Sequence, residues 1–363
     1  MIYPPQQDAA LKAAAKWLKR GEPKLFRLFG YAGTGKTTLA KKLAEDVDGA
    51  VAFGAFTGKA ALVMRAKGCE DARTIHSLIY RASETETGEP VFVLNEDSPV
   101  ARSKLVIVDE CSMVDAELGR DLLSFGKPVL VLGDPGQLPP VKGGGFFTSA
   151  DPDVMLTEVH RQAAHNPILR MSMLVREGHH LVPGSYGESK VVKRAEIDSA
   201  MVTAADQLLV GLNRTRRAYN TRMRELFGRA SVFPEAGDKL VCLKNNNKKG
   251  LLNGGIWLVK STVPARKKKL LMNAISEDDP TEKPRRIGVL PEFFQGLEDT
   301  LAPLVRKDSD EFDYGYALTV HKAQGSQWDN VILFDESFAF REHRARWLYT
   351  GITRAAHRLT IVV

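Results

Sequence analysis

The stretch Leu25-Phe-Arg-Leu-Phe-Gly30-Tyr-Ala-Gly-Thr-Gly-Lys36-Thr37 joins a short apolar run to a glycine-rich loop that ends in lysine and threonine. The loop matches G-x-x-x-x-G-K-T, and it follows a predicted strand and opens a predicted helix, as this pattern requires. Backbone N–H groups of such a loop turn toward phosphates at a helix N-terminus. Lys36 would bind the β and γ phosphates of a nucleotide, and the Thr37 hydroxyl would bind Mg²⁺. The candidate nucleotide-binding residues of this segment are Gly33, Gly35, Lys36, Thr37 and Thr38.

Further apolar runs that end in turn or polar residues recur along the chain. The predicted strands cover residues 25–29, 51–56, 105–108, 129–132, 207–211, 331–334 and 359–363. After the first of them, Leu39, Leu43 and Val47 recur every four residues, which predicts one face of a helix. Alternating strands and helices are typical of an α/β protein with a parallel sheet, in which ligands bind at the carboxyl ends of the strands.

The length of 363 residues predicts two compact lobes with insertions. We expect a first lobe over residues 1–155 and a second lobe built from 156–236 together with 311–363. Residues 237–310 contain glycine and asparagine turns between short runs at 239–243 and 256–260, and this pattern predicts a small all-β insert. The polar stretch 84–90, followed by the apolar run 91–94, predicts a hairpin within an insert at 80–103 of the first lobe.

The composition excludes several classes of protein. With 44% hydrophobic and 26% charged residues, and no apolar run near the roughly 20 residues of a membrane helix, the chain does not read as a membrane protein. The N-terminus has no secretory pattern, so we expect a cytoplasmic protein, in the host cytoplasm if it is phage-encoded. The three cysteines lack Cys-x-x-Cys spacing, which argues against disulfides and a zinc site.

The net charge of +7 is concentrated in the middle of the chain. Arg214, Arg216 and Arg217 lie close together in sequence, and residues 266–269 form a basic run. A polyanion is therefore a candidate partner. On charge alone, a solvated basic helix face and a basic loop are the alternative interpretation.

Two acidic or polar segments follow other predicted strands. The run Leu105-Val-Ile-Val-Asp109-Glu110 places two carboxylates at a strand end. Asp109 would hold Mg²⁺ through water, and Glu110 would orient or deprotonate the attacking water. Gly133-Asp-Pro-Gly-Gln137 follows the next strand, so Gln137 is a candidate sensor of the γ-phosphate. The alternatives are a solvated acidic turn for the first segment and a simple Pro-Gly turn for the second.

Taken together, these motifs resemble those of superfamily-1 helicases of the RecD and Dda type, in order and over nearly the whole chain. Pro4-Pro-Gln-Gln7 is similar to the family's adenine-reading motif, with Gln7 as the reader, and Cys111 stands where the family commonly has alanine. Leu156-Thr-Glu-Val-His-Arg161 and Thr353-Arg354 resemble the motifs whose arginines contact the γ-phosphate. The resemblance further implies two RecA-like lobes, a strand-separating pin at 80–103 and an SH3-like insert at 237–310. It implies nucleic-acid contacts at Thr57, Lys59, His76, Phe92, Asn213, Thr319, His321 and Lys322.

The resemblance implies a DNA helicase that hydrolyses ATP with Mg²⁺ and moves 5′→3′ on single-stranded DNA. We expect it to act at junctions of single and double strands, as a monomer, with single-strand-binding or replication proteins as candidate partners. Taken singly, Arg161 and Arg354 would also fit surface arginines, and His76 and His321 would fit structural histidines. Two rival functions stay open, a duplex translocase that does not separate strands and a nucleotide-gated module that only binds single strands.

Overall fold

The computed structural model describes residues 3–84, 90–140, 144–158, 166–266, 268–278 and 281–363. It contains two compact units, Met1–Gly178 and His179–Val363. Arg161 and residues 85–89 of the predicted hairpin lie outside the described residues. The α-helices are α1 Pro5–Arg20, α2 Lys36–Glu45, α3 Gly58–Ala66, α4 Ile75–Ile79, α5 Pro99–Arg102, α6 Ala116–Leu123, α7 Pro167–Arg176, α8 Ser199–Thr203, α9 Asn213–Leu226, α10 Glu292–Gln295, α11 Pro303–Lys307 and α12 Arg344–Ile352.

The strands alternate with these helices along most of the chain. They are β1 Leu25–Gly30, β2 Val51–Ala55, β3 Arg73–Thr74, β4 Tyr80–Glu84, β5 Pro90–Leu94, β6 Leu105–Asp109, β7 Val129–Gly133, β8 Val154–Leu156, β9 Gly184–Tyr186, β10 Ser189–Val192, β11 Gln207–Val210, β12 Lys239–Cys242, β13 Ile256–Arg266, β14 Lys269–Ser276, β15 Arg285–Val289, β16 Phe312–Tyr314, β17 Ala317–Thr319, β18 Trp328–Phe334 and β19 Ala355–Val362.

A parallel sheet in the order β3-β2-β6-β7-β1-β8 forms the centre of the first unit. The side chains of β7 and the first four of β6 are all buried, because both faces of a parallel sheet are covered by other elements. Two apolar clusters contribute to this core: one contains Phe29, Val108 and Val131, and the other contains Leu28, Leu39 and Ile107. The sheet therefore brings the segments that follow β1, β6 and β7 to one edge.

The predicted helix face at Leu39, Leu43 and Val47 is correct for its first two members, which are buried. It is wrong for Val47, since α2 ends at Glu45. The backbone N–H of Val47 donates to the Ala44 carbonyl in a terminal turn. The Asp48-Gly49 pair that follows is turn chemistry, which ends the helix before the apolar period does.

The second unit has a sheet in the order β17-β11-β18-β19-β10-β9. Its strands pair in parallel except for β9, which is antiparallel to β10. Trp347 and Tyr349 of α12 are among the largest fully buried side chains. The parallel sheet of the first unit and the mostly parallel sheet of the second confirm the predicted α/β class with two RecA-like lobes.

A separate antiparallel sheet in the second unit has the order β15-β14-β13-β12-β16. It uses residues beyond the predicted insert, because β16 spans Phe312–Tyr314. This sheet confirms the predicted β insert, and two short helices that were not predicted, α10 and α11, lie within it. Pro303 begins α11, and Gly296 ends α10 in a left-handed conformation with φ 71°, so proline and glycine here border short helices as well as turns. The functional lobe boundaries at 155, 236 and 310 stay a prediction.

The hairpin predicted in the first lobe is present as the antiparallel pair β4 and β5. Ala82 lies opposite Phe92, whose side chain is 73% exposed. Within the part of the chain that the structure describes, no helix is long and apolar enough to cross a membrane. The three cysteines are buried and not in disulfides.

Candidate functional site

The glycine-rich loop between β1 and α2 has the backbone that its sequence requires. Gly33 has φ 78° and Gly35 has φ 82°, a region that favours glycine. Gly35 immediately precedes the first residue of α2, Lys36. The Lys36 Nζ donates to the Gly30 carbonyl at 2.6 Å and to the Tyr31 carbonyl at 3.1 Å. The ammonium group therefore lies against the loop that would receive the phosphates.

Thr37 links this loop to the acidic end of β6. Its hydroxyl donates to the Asp109 Oδ2 at 2.9 Å, and the other carboxylate oxygen accepts the backbone N–H of Glu110 at 2.8 Å. Glu110 has φ 53°, so the chain turns sharply directly after Asp109. Hydroxyl and carboxylate oxygens are the ligands that Mg²⁺ prefers, and the structure brings one of each into contact. Thr38 is exposed on the first turn of α2.

Gln137 follows β7, which lies between β1 and β6 in the sheet. Its side chain is only 7% exposed. Its backbone N–H donates to the Asp134 carbonyl at 3.1 Å, which fixes the turn. Among the described residues, the Gln137 Oε1 has no hydrogen-bond partner. A buried acceptor without a partner is costly, so this oxygen suits a donor such as a water that arrives with the nucleotide.

The two N-terminal glutamines contact different parts of the first unit. Gln7 is buried in α1, and its Nε2 donates to the Thr34 carbonyl of the phosphate loop at 2.9 Å. The Gln6 Oε1 accepts the backbone N–H groups of Thr157 and Glu158 at 3.0 and 2.9 Å, beyond the end of β8. The structure thus places the predicted adenine reader, Gln7, beside the phosphate loop.

The predicted strand contacts of the first unit follow neighbouring strands. Thr57 comes after β2, where its Oγ1 accepts the Ala60 N–H at 3.1 Å and caps α3. Lys59 lies in the first turn of that helix. His76 is exposed on α4, directly after β3. Because β2 and β3 are parallel neighbours, these segments share one sheet edge, whereas Phe92 lies apart in the hairpin.

In the second unit, the predicted contacts follow β17 and β11, which are also parallel neighbours. Thr319 ends β17, and its Oγ1 accepts the Lys322 N–H at 3.3 Å. Burial lowers the pKa of His321, and the nearby His343 lowers it further. Asn213 begins α9, and its Oδ1 accepts the Arg216 Nε–H at 3.3 Å.

Lys322 is more buried than expected for a lysine that contacts a phosphate of a bound strand. Burial, followed by the charge of Arg216, lowers the pKa of Lys322 to about 8. Arg216 itself pairs with Asp313 at 2.6 Å, and both of these side chains are largely buried. Lys322 therefore adjoins a buried ion pair of α9 and the insert sheet.

Arg354 is 5% exposed, and its guanidinium is held within the second unit. Its Nε donates to the Thr350 carbonyl at 3.1 Å, and its other nitrogens donate to the Ser326 carbonyl at 3.3 Å and the Thr353 hydroxyl at 3.1 Å. A role at the γ-phosphate would require these bonds to be exchanged. The second predicted arginine, Arg161, lies outside the described residues.

Sequence reasoning missed two contacts next to the predicted residues. The guanidinium of Arg176 lies over the ring of Tyr31 in the phosphate loop, with 3.6 Å between the guanidinium carbon and the ring centroid. The Glu336 carboxylate accepts the N–H groups of Gly211 and Leu212 at 2.7 and 3.0 Å, at the start of α9. No local pattern connects the members of either contact, because they come from distant segments.

The arrangement in the first unit defines a class of protein. A parallel sheet presents a lysine-bearing phosphate loop after one strand, and a threonine of this loop is bonded to an aspartate after another. These features are typical of phosphate-loop nucleoside triphosphatases.

The chain belongs to the AAA domain family, whose profile matches residues 3–196, and two relatives are helicases of the RecD and Dda type, to which its motifs are similar. Residues 314–362 match the UvrD-like helicase C-terminal domain. The ATP-dependent RecD2 DNA helicase of Deinococcus radiodurans is 30% identical over 92% of this chain and 46% of its own length. The ATP-dependent DNA helicase dda of Enterobacteria phage T4 is 34% identical over 41% of this chain and 37% of its own.

The fold is shared with a solved structure as well. The Pif1 helicase from Candida albicans matches with a TM-score of 0.60 and 19% identity, over 100% of this chain and 94% of its own. The chain spans less than half the length of the two curated relatives, 46% and 37%.

Proposed function

We propose that this chain is an ATP-driven DNA helicase that moves 5′→3′ on single-stranded DNA and separates duplex ahead of it. The bond between the Thr37 hydroxyl and the Asp109 carboxylate is the observation that carries the ATPase part, because it joins the phosphate loop to the acidic strand end. Similarity to the RecD2 and dda helicases, and to the UvrD-like helicase C-terminal domain, supports the helicase part. The direction of movement rests on the resemblance to the RecD and Dda type.

The residues around the phosphate loop fit MgATP. Lys36 would exchange the Gly30 and Tyr31 carbonyls for phosphate oxygens. Thr37 and Asp109 would hold Mg²⁺, which neutralises phosphate charge when it is bound. Glu110 is the proposed general base for the attacking water. The partnerless Oε1 of Gln137 would accept a hydrogen bond from that water.

Charge that develops on the γ-phosphate needs a further cation, and we assign this role to Arg354 and Arg161. An arginine in this role contributes roughly 10³- to 10⁵-fold to the rate. Arg354→Ala should lower hydrolysis by at least about three orders of magnitude and leave binding of nucleotide and strand intact. Because the guanidinium also bonds Thr350 and Ser326, thermal melting of the variant must be measured alongside. A variant that melts like the wild type and hydrolyses ATP normally would refute the assignment.

The strand would be held through its phosphates by two sets of residues, one in each unit. The first set is Thr57, Lys59 and His76, and the second is Asn213, Thr319, His321 and Lys322. Stepping requires the grip of the two sets to alternate with the nucleotide state. Contacts to phosphates carry no sequence information, so we propose little sequence preference. The site of action would be the junction of single and double strands.

The hairpin favours strand separation over the rival function of a duplex translocase. Phe92 is 73% exposed, and its neighbours Val93 and Leu94 are 36% and 37% exposed. An exposed apolar strand of this kind suits stacking against a base pair at a junction. If the proposed function is correct, oligo-dT should stimulate ATP hydrolysis by this chain. Hydrolysis that no single strand stimulates would contradict it.

A further inference from the structure

Tyr31, the second residue of the phosphate loop, is held by an arginine from a different part of the first unit. Arg176 is the last residue of α7, and its guanidinium carbon lies 3.6 Å from the centroid of the Tyr31 ring. Its side chain is 23% exposed, and its ion-pair contact with the adjacent Glu177 is a long one at 3.5 Å. The planar guanidinium group stacks well on an aromatic face, and 3.6 Å is a close stacking distance, whereas 3.5 Å is long for a hydrogen bond.

The backbone carbonyl of Tyr31 accepts three hydrogen bonds from within the phosphate loop. The donors are the Thr34 hydroxyl at 2.8 Å, the Thr34 N–H at 3.4 Å and the Lys36 ammonium at 3.1 Å. The Thr34 carbonyl in turn accepts the Gln7 amide at 2.9 Å. A side chain that fixes Tyr31 therefore fixes the acceptor against which Lys36 lies.

We propose that Arg176 is a positioning residue for ATP binding, which acts by holding Tyr31 and thereby the first half of the phosphate loop. When nucleotide binds, Lys36 must leave the two carbonyls for phosphate oxygens, and an anchored loop keeps its shape during this exchange. Without the anchor, part of the binding free energy is spent on ordering the loop. This inference rests on the proposed function, since it concerns the same nucleotide site.

The first test compares nucleotide affinity and hydrolysis in single variants. Arg176→Ala should weaken binding of a fluorescent ADP analogue, and raise the KM for ATP, by about 3- to 10-fold, as loss of a partly buried cation–π contact implies. The kcat with saturating oligo-dT should change far less. Arg176→Lys keeps the charge and loses the planar stack, so it should recover only part of the affinity. Arg170→Ala, on an exposed position of the same helix, is the matched control and should bind nucleotide like the wild type.

The second test asks whether Arg176 acts through Tyr31. Tyr31→Leu removes the ring, and Arg176→Ala added to it should cause no further loss of affinity. Tyr31→Phe keeps the ring face and should lose less than Tyr31→Leu. A full additional loss in the double variant would show that Arg176 acts independently of Tyr31, and would overturn the inference.

Two further outcomes separate failure of the inference from failure of the proposed function. If Arg176→Ala lowers the melting temperature and leaves affinity unchanged, the contact is structural only and the inference is wrong. If Lys36→Ala, measured in the same titration, also leaves affinity unchanged, the loop is not the nucleotide site and the proposed function fails with it. Weak binding by Lys36→Ala together with normal binding by Arg176→Ala would overturn the inference alone.

Discussion

At the residue scale, Lys36 and Glu110 are expected to serve different steps of one reaction. Lys36 lies in the loop that would hold the phosphates, whereas Glu110 begins the turn after the Asp109 that would hold Mg²⁺. Lys36→Ala should weaken ATP binding by about 10- to 100-fold, which is the range for loss of a charged hydrogen bond. Glu110→Gln should bind ATP and hydrolyse it at least about 100-fold more slowly. Equilibrium binding and steady-state hydrolysis distinguish the two variants, and normal hydrolysis by Glu110→Gln would show that another group activates the water.

Lys322 gives strand binding an expected dependence on pH. Burial lowers its pKa to about 8, so the ammonium is charged at pH 7 and mostly neutral at pH 9. If Lys322 contacts a strand phosphate, affinity for oligo-dT should fall as pH rises through 8. Lys322→Arg stays charged and should show a flatter profile over the same range, at constant ionic strength. Identical profiles for the two proteins would show that Lys322 does not contribute its charge to binding.

The lowered pKa of Lys322 also affects stability, and here the pH dependence has the opposite sign: the free energy of unfolding rises where the affinity for the strand falls. The unfolded lysine keeps its proton up to about pH 10.4, whereas the folded lysine loses it above about 8. Between these values the unfolded state binds more protons, so this group makes the free energy of unfolding rise with pH. Below about pH 8 the lysine is protonated in both the folded and the unfolded state, so it adds no pH dependence to the free energy of unfolding.

At the element scale, α9 is tied to the start of the insert sheet by a buried ion pair. Arg224 is 6% exposed and Asp238 is fully buried, and they form two hydrogen bonds of 3.0 and 3.1 Å. Arg224→Ala would leave a buried carboxylate without its partner and should lower the free energy of unfolding by roughly 3–5 kcal/mol. Arg222→Ala removes an exposed arginine from the same helix and should change it by less than about 0.5 kcal/mol. Denaturant titrations in which both variants unfold alike would refute a structural role for the pair.

The hairpin allows translocation and strand separation to be tested apart. Phe92→Ala removes an exposed aromatic side chain from β5 and should reduce unwinding of a tailed duplex several-fold. Hydrolysis stimulated by oligo-dT should be retained, because the hairpin follows the edge strand β3, and three strands separate β3 from β1 and its phosphate loop. Phe338→Ala, which removes another exposed phenylalanine outside the hairpin, is the control and should unwind normally. Equal unwinding by both variants would favour strand separation by some other element.

The features of the fold and the site that sequence could predict are local in the chain. The phosphate loop, the Asp109-Glu110 strand end and the seven predicted sheet strands are each defined by neighbouring residues, and the structure contains them, with β18 and β19 beginning earlier than predicted. The short strands β3, β8, β9, β10 and β17 were not predicted. The end of α2 before Val47 and the short helices α10 and α11 were not predicted. In α2, the turn residues that follow the helix end it before the apolar repeat does. At α10 and α11, glycine and proline border short helices and not only turns.

Contacts between distant segments could not be predicted in the same way. The Arg176 and Tyr31 pair, and the burial of Lys322 beside Arg216, depend on which elements pack together. Arg354 was recognised by its motif, yet its hydrogen bonds to Thr350 and Ser326 have no signal in the sequence. The motif identifies Arg354 as a candidate for the γ-phosphate, and only the structure shows which hydrogen bonds it would exchange in that role.

At the scale of the whole molecule, the two units are proposed to act as one motor, and the central claim is that ATP hydrolysis drives directional strand separation. The measurement that tests this claim most directly is unwinding of duplexes that carry either a 5′ or a 3′ single-stranded tail, with MgATP and a trap for the released strand. We expect that the 5′-tailed duplex is separated, that the 3′-tailed duplex is not, and that Lys36→Ala separates neither. Active hydrolysis with no separation of either duplex, or separation of the 3′-tailed duplex alone, would contradict the central claim.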